Sequence, residues 1–225
     1  MLRRVFLMGA VTSLMLSSAP LFANTAPSFK VNDDYFVLEK PIPDAKNTLI
    51  KVWSYACPHC YKYERYIDPV IIPEALKKDH LRFESFHLST KGTQSPLITA
   101  LMAGLLVKDK MDGVEPTNGN ALSHRAKLAW YDNYHNMGVH WDNDEAGLLD
   151  FTAVATGLTP KALKALAAKP EAKALMKRWE VGYDIAKKTG IPAYVVNGRY
   201  LINPKALQSL EGMSALIDYL AKEPQ

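Results

Sequence analysis

Cysteine occurs only twice in the 225 residues, in the single run Cys57-Pro58-His59-Cys60. Two thiols three positions apart can brace a fold, help to ligate a metal, or exchange electrons with other thiols. Bracing is a poor reading, because so small a ring removes almost no freedom from the unfolded chain. Zinc is poorly served as well. A structural site needs four ligands, no second CxxC or HxxxH follows, and His87, His124, His135 and His140 are scattered. Redox exchange leads, as an isolated CxxC beside a strand suggests.

The N-terminus says where such a pair would work. Arg3 and Arg4 precede an apolar run over 5–16 and the small residues Ser17, Ser18 and Ala19. This is the pattern of a secretory signal peptide, assigned to 1–23 with cleavage after Ala23, although Leu21 is bulky for its place in the cleavage region. The run is short of the roughly 20 residues that span a bilayer; an uncleaved anchor is the alternative. Export implies an oxidising compartment. A chain that is 48% hydrophobic and 22% charged, with 12 Gly and 14 Pro, is neither collagen-like, disordered nor a disulfide scaffold. A net charge of +4 is too mild to argue for nucleic acid.

The flanks must position the cysteines. Residues 48–55 read as a buried central strand. Pro58 suits the first position of a helix, which continues through Tyr61, Lys62, Tyr63, Glu64 and Arg65 at least to Pro69. Cys57 then sits at a helix N-terminus, where unpaired N–H groups favour an anion such as a thiolate. This predicts an exposed, nucleophilic Cys57 of low pKa and a buried resolving Cys60. A short helix carrying Leu76 leads to a second strand over 81–88, and 95–188 is mainly helical. Thr159-Pro160 opens one helix. A longer one runs from Pro170 to Lys187 and Lys188, closed by Gly190, with Leu175, Trp179, Tyr183 and Ala186 at helical spacing. Asn197-Gly198 joins two short strands as a hairpin. Asn203-Pro204 opens a closing helix with Leu207, Leu210, Ile217 and Leu220. The order predicts a mixed α/β sheet interrupted by helices.

Cys-Pro-His-Cys after a strand, with Gly190-Ile191-Pro192 before a hairpin, resembles the thioredoxin fold. The helical insert resembles that of the DsbA family of periplasmic thiol–disulfide oxidoreductases. Ser54-Tyr55-Ala56-Cys57, Tyr61-Lys62-Tyr63, Phe86-His87-Leu88, Thr90-Lys91-Gly92 and 192–198 are most similar to its DsbL/SrgA branch. The resemblance implies a thioredoxin-like domain over 24–90 plus 179–225 and an all-helical insertion over 91–178. It makes Cys57 the attacking cysteine and Cys60 its partner, with Pro58 and His59 tuning the pair. Pro192 becomes a cis-proline against the site, and Ile191 presents backbone to a bound polypeptide. It also implies reduced exported proteins as substrates, reoxidation by a DsbB/DsbI-like quinone-linked membrane protein, a monomer, and neither cofactor nor metal.

The sequence departs from this pattern in two places. Lys51 stands where the family usually buries an acid, and a lysine in a central strand is costly unless paired. Glu84 on the next strand is the candidate partner; the alternative is that Lys51 snorkels to the surface. The branch also often has another residue at His59. Lys161, Lys164, Lys173, Lys177, Arg178, Lys187 and Lys188 read as a solvated face, or as a basic surface for acidic clients. Besides a dithiol oxidase, a reductase or isomerase, a holdase and a soft-metal carrier using Cys57 and Cys60 remain open.

Overall fold

The computed structural model describes residues 28–90 and 92–224; the signal peptide assigned to 1–23, and Lys91, lie outside the described residues. In chain order the elements are β1 (Tyr35–Val37), β2 (Thr48–Trp53), α1 (Pro58–Tyr66), α2 (Asp68–Lys78) and β3 (Arg82–His87). Then come α3 (Ser95–Met111), α4 (Leu122–His135), α5 (Glu145–Thr156), α6 (Pro160–Ala167) and α7 (Pro170–Trp179). The chain closes with α8 (Val181–Thr189), β4 (Ala193–Val196), β5 (Tyr200–Ile202), a 3₁₀ turn (Pro204–Ala206) and α9 (Leu210–Lys222). Among the described residues the strands form one mixed sheet in the order β1-β5-β4-β2-β3, with β2 and β3 parallel and the other pairs antiparallel. This is a thioredoxin-like sheet with helices α3 to α7 inserted between β3 and α8.

β2 is buried along its whole length, as its apolar run requires of a central strand. Side chains alternate between the sheet's faces. Leu49, Phe83, Tyr194 and Val196 pack with Ile71, Ala75, Met213 and Ile217 from α2 and α9. Ile50, Val52, Phe86 and Val195 pack beneath Ile185 of α8 and the inserted helices. The insertion is tied together by contacts with no local signal. The buried Asp109 of α3 accepts from the backbone N–H groups of Leu122 (2.7 Å) and Ser123 (2.9 Å), capping α4 from another helix. Gly104 lets α3 lie directly on α6, since a Cβ there would fall 2.6 Å from the Ala167 nitrogen.

The hairpin forms as expected. Asn197 (φ 55°) and Gly198 (φ 64°) both lie in the left-handed region, and Arg199 N–H donates to Val196 O at 3.1 Å. β1, pairing antiparallel with β5, adds a strand the sequence does not announce, since three residues carry no clear signal. Two local readings need correction. The helix expected from Pro170 to Lys188 is two helices, broken at Glu180. There Tyr183 N–H bonds the Glu180 carbonyl three residues back, while Trp179 turns into the core against Phe86. Finally, Asn203-Pro204 opens only the 3₁₀ turn. α9 starts at Leu210, with Ser209 Oγ accepting from Gly212 N–H at 3.0 Å, so Leu207 lies outside it.

The lysine-rich face is partly neutralised. Lys164 pairs with Glu145 (2.9 Å), Lys187 with Asp184 (2.9 Å), and Lys188 lies over the Phe36 ring (4.5 Å). Elsewhere, Asp79 at the end of α2 meets Asp218 of α9. Burial pushes the Asp79 pKa up to about 6, and its contact with Asp218 adds to the effect. Its folded pKa thus lies above the unfolded value of about 3.9. The stability it contributes is complete below that value and is lost as pH rises through 6. Asp79→Asn is therefore expected to stabilise the protein at pH 7, by under about 1 kcal/mol because the carboxyl is only partly buried. It should also flatten the dependence between pH 4 and 7. Urea midpoints at pH 5 and pH 7 check this; a variant no more stable than the parent at pH 7 counts against it.

Candidate active site

The chain leaves β2 at Trp53, turns through Ser54, Tyr55 and Ala56, and enters α1 at Pro58. Cys57 is the N-cap residue (φ −92°, ψ 113°), and its Sγ accepts the Cys60 backbone N–H at 3.3 Å. The thiol takes the place that Ser or Asp usually fills at a helix start, facing unpaired N–H groups and the positive end of the macrodipole. On its other side the Cys57 thiol donates to the Ile191 carbonyl at 3.5 Å, and the Ile191–Pro192 bond is cis. Pro58 and His59 are exposed on the first turn.

Cys57 itself is not exposed, contrary to the sequence reading: it is 3% accessible, and Cys60 is 0%. The sulfur turns back over its own helix and under the Ile191 carbonyl, so only an edge meets solvent. Burial pushes the Cys60 thiol well above its ordinary range; the neighbouring Cys57 thiol adds to this, and the charge of Lys51 opposes it. The field of Lys51 therefore falls on Cys60.

Lys51 is the larger surprise. It is 1% exposed and does not snorkel. Its Nζ donates to Glu64 at 2.8 Å and to Asp68, while Lys127 Nζ reaches the other oxygen of Glu64 at 2.6 Å. Tyr194 donates its hydroxyl to Asp68. Two cations and two carboxylates thus form a closed buried network beneath the CxxC helix. Burial alone would pull the Lys51 pKa down, but Asp68 and then Glu64 outweigh it and hold the lysine above its ordinary value. Burial likewise pushes Glu64 up, but Lys127 and Lys51 hold it well below the usual carboxylate range. Asp68 is the weak member: burial raises its pKa against the pull of Lys51.

Glu84 takes no part. Its carboxylate is held by Arg178, 3.1 Å from Nη2 and 3.2 Å from Nε. The register gives the reason. β2 and β3 pair with Ile50 opposite Glu84 and Lys51 opposite Ser85. Residues paired in this way share a face, so Lys51 and Glu84 lie on opposite sides of the sheet. The real partners could have been suspected, because Cys60, Glu64 and Asp68 recur every four residues and would line one helical face. Nothing in the sequence points to Lys127, which arrives from the insertion.

Tyr131 of α4 also reaches the site. It is fully buried, with its ring 5.3 Å from Trp53 and 5.7 Å from Tyr61.

A family model described as Thioredoxin matches residues 42–219. The thiol:disulfide interchange protein DsbL of Escherichia coli O6:H1 is 38% identical over 213 residues, covering 94% of this chain and 95% of that protein. The chain belongs to the DsbA family, on its DsbL branch. DsbA of the same organism is 28% identical over 200 residues, covering 84% and 83% of the two chains. The crystal structure of DsbL from Salmonella enterica serovar Typhimurium superposes with a TM-score of 0.82 at 37% identity, over 88% of this chain and 100% of that one. As a member of the DsbA family, the chain is a thiol:disulfide oxidoreductase.

Proposed function

We propose that the protein is an exported dithiol oxidase that gives its Cys57–Cys60 disulfide to other exported proteins in the periplasm. A substrate thiolate attacks Cys57 Sγ, the Cys57–Cys60 bond breaks, and Cys60 leaves with the electron pair. A second substrate thiolate then displaces Cys57 from the mixed disulfide. The substrate has lost two electrons and the enzyme has gained them. Pro58 and His59 tune the pair, and Ile191 and Pro192 present backbone to the bound polypeptide. Lys51, held by Glu64 and Asp68 rather than Glu84, adjusts Cys60. The insertion over 91–178 frames the site. A DsbB/DsbI-like quinone-linked membrane protein removes the electrons, and the enzyme acts as a monomer.

The observation carrying this reading is the placement of Cys57 Sγ at the N-terminus of α1, against the Cys60 N–H. Cys57 must leave in the second step, and whatever stabilises its thiolate stabilises the reduced enzyme and makes the disulfide more oxidising. Each unit by which the Cys57 pKa falls below 7 would supply about 1.4 kcal/mol at pH 7, or ~30 mV. The test is the equilibrium of the pair with reduced and oxidised glutathione, followed by alkylation and mass. A potential well above that of thioredoxin is expected. A thioredoxin-like value would mean a reductase or isomerase and overturn the oxidase direction.

A further inference from the structure

His87 and His135 take no part in the exchange chemistry, yet both close on one peptide. Tyr55 lies between the end of β2 and the active-site helix, one residue short of Cys57's neighbour Ala56. Its N–H donates to His87 Nε2 at 3.1 Å, and its carbonyl faces His135 Nε2 at 2.9 Å. A backbone N–H can only donate and a carbonyl can only accept, so the rings are forced into opposite roles. His87 must offer a lone pair at Nε2 and carry its proton on Nδ1, which donates to Thr99 Oγ1 at 2.8 Å; Thr99 donates in turn to Ser95 O at 2.8 Å. His135 must carry its proton on Nε2. His87 is wholly buried, and burial holds its pKa down to about 3, so it keeps the neutral form its acceptor role requires. His135 comes from the last turn of α4 and stacks flat on Tyr61 of α1, with ring centroids 5.0 Å apart and planes at 9°. Asn136 and Asp132, from the same end of α4, bracket the Tyr61 hydroxyl at 2.6 Å and 3.1 Å.

We propose that His87 and His135 are positioning residues that clamp the Tyr55 peptide and so hold Cys57 Sγ at the start of α1. His135 thereby makes the helical insertion part of the active site. This rests on the reading of Cys57 and Cys60 as the exchanging pair. The clamp acts unequally on the two redox forms. In the disulfide form the S–S bond itself fixes the sulfur. In the dithiol form Sγ is directed at the Cys60 N–H by the turn before Cys57 together with its contact to the Ile191 carbonyl, and a buried carbonyl that loses its donor lets that turn rotate. Loss of the clamp therefore weakens the reduced form more than the oxidised form.

The test is the glutathione equilibrium of the full chain with His135→Leu and His135→Gln. Gln can present an amide N–H where Nε2–H stood. The Leu variant is expected to shift the equilibrium about tenfold toward the disulfide form, which is about 30 mV. The Gln variant is expected to stay within about threefold of the parent. A Leu variant within about twofold, or a Gln variant that shifts as far as Leu, overturns the proposal. A purely structural role would lower the melting temperature of both redox forms alike and leave the equilibrium in place. Should the Leu variant fail to fold by circular dichroism, Thr99→Val, which strips His87 Nδ1 of its partner, is read instead. A shift of at least about threefold in the same direction supports the clamp, and an unchanged equilibrium overturns it. Failure of the parent chain to equilibrate with glutathione at all would instead refute the redox pair itself.

Discussion

Replacing Lys51 by Met destabilises the protein by about 3–5 kcal/mol, the cost of removing one partner from a buried ion network. In the parent, Lys51 and Lys127 balance Glu64 and Asp68. Without Lys51, Glu64 keeps Lys127 but Asp68 keeps only the Tyr194 hydroxyl, and the cluster carries a surplus negative charge away from water. Asp68, whose pKa burial already raises, is then driven to take up a proton. The sign follows from linkage. A carboxyl with a folded pKa above its unfolded one contributes stability that is present at low pH and lost as pH rises through the folded value. The deficit of the Met variant should therefore be largest at neutral pH and shrink toward pH 5, and adding Asp68→Asn should recover much of it. In the parent, Glu64 behaves oppositely. Its pKa is held down by Lys127 and Lys51 against burial. Its contribution is complete above the unfolded carboxyl value of about 4.3 and is lost only as pH falls through the much lower folded value. Glu84→Gln, by contrast, breaks a partly exposed pair with Arg178 and should cost about 1 kcal/mol or less. Urea unfolding of these variants at two pH values decides the matter. A Met variant within 1 kcal/mol of the parent would mean that the network carries no net weight. The same substitution removes the charge that opposes the rise of the Cys60 pKa, so Cys60 should titrate higher still.

Cys57→Ser abolishes disulfide donation, by at least about a thousandfold, because a serine hydroxyl can form no disulfide to pass on. Cys60→Ser gives a different phenotype. Cys57 keeps its place at the start of α1 and its N–H donor from position 60. It can still enter a mixed disulfide, but the buried thiol that would resolve that bond is gone. The expected result is a stable adduct with glutathione or a reduced client on Cys57, visible as a mass increment that dithiothreitol removes. A Cys60→Ser protein that turns over like the parent without accumulating adducts would assign the exchange elsewhere. The double Cys57→Ser, Cys60→Ser variant separates the remaining readings, since a holdase would keep its activity while an oxidase or soft-metal carrier would lose it.

Features written in contiguous residues are legible without the fold. These are the strand leading into Cys57, the proline-started helix after it, the Asn197-Gly198 hairpin and the helical stretch between the sheet strands. Each rests on local backbone preference or on a period of two or 3.6, which needs no knowledge of distant neighbours. The tertiary structure alone decided everything that depends on which side of the sheet a residue faces, or on what arrives from far along the chain. Lys51 and Glu84 could be paired on paper, but the parallel register that sets Ile50 opposite Glu84 puts them on opposite faces. The charges that do meet Lys51 come from the underside of α1 and α2, and Lys127 joins them through Glu64 from a helix more than sixty residues after it in the chain. Cys57 is covered because Ile191, 134 residues away, lays its carbonyl over the sulfur. His87 and His135 looked scattered because the sheet edge and the insertion bring them to Tyr55 only once both have packed. Hydrophobic pattern specifies that a face is buried; register and packing specify what it is buried against.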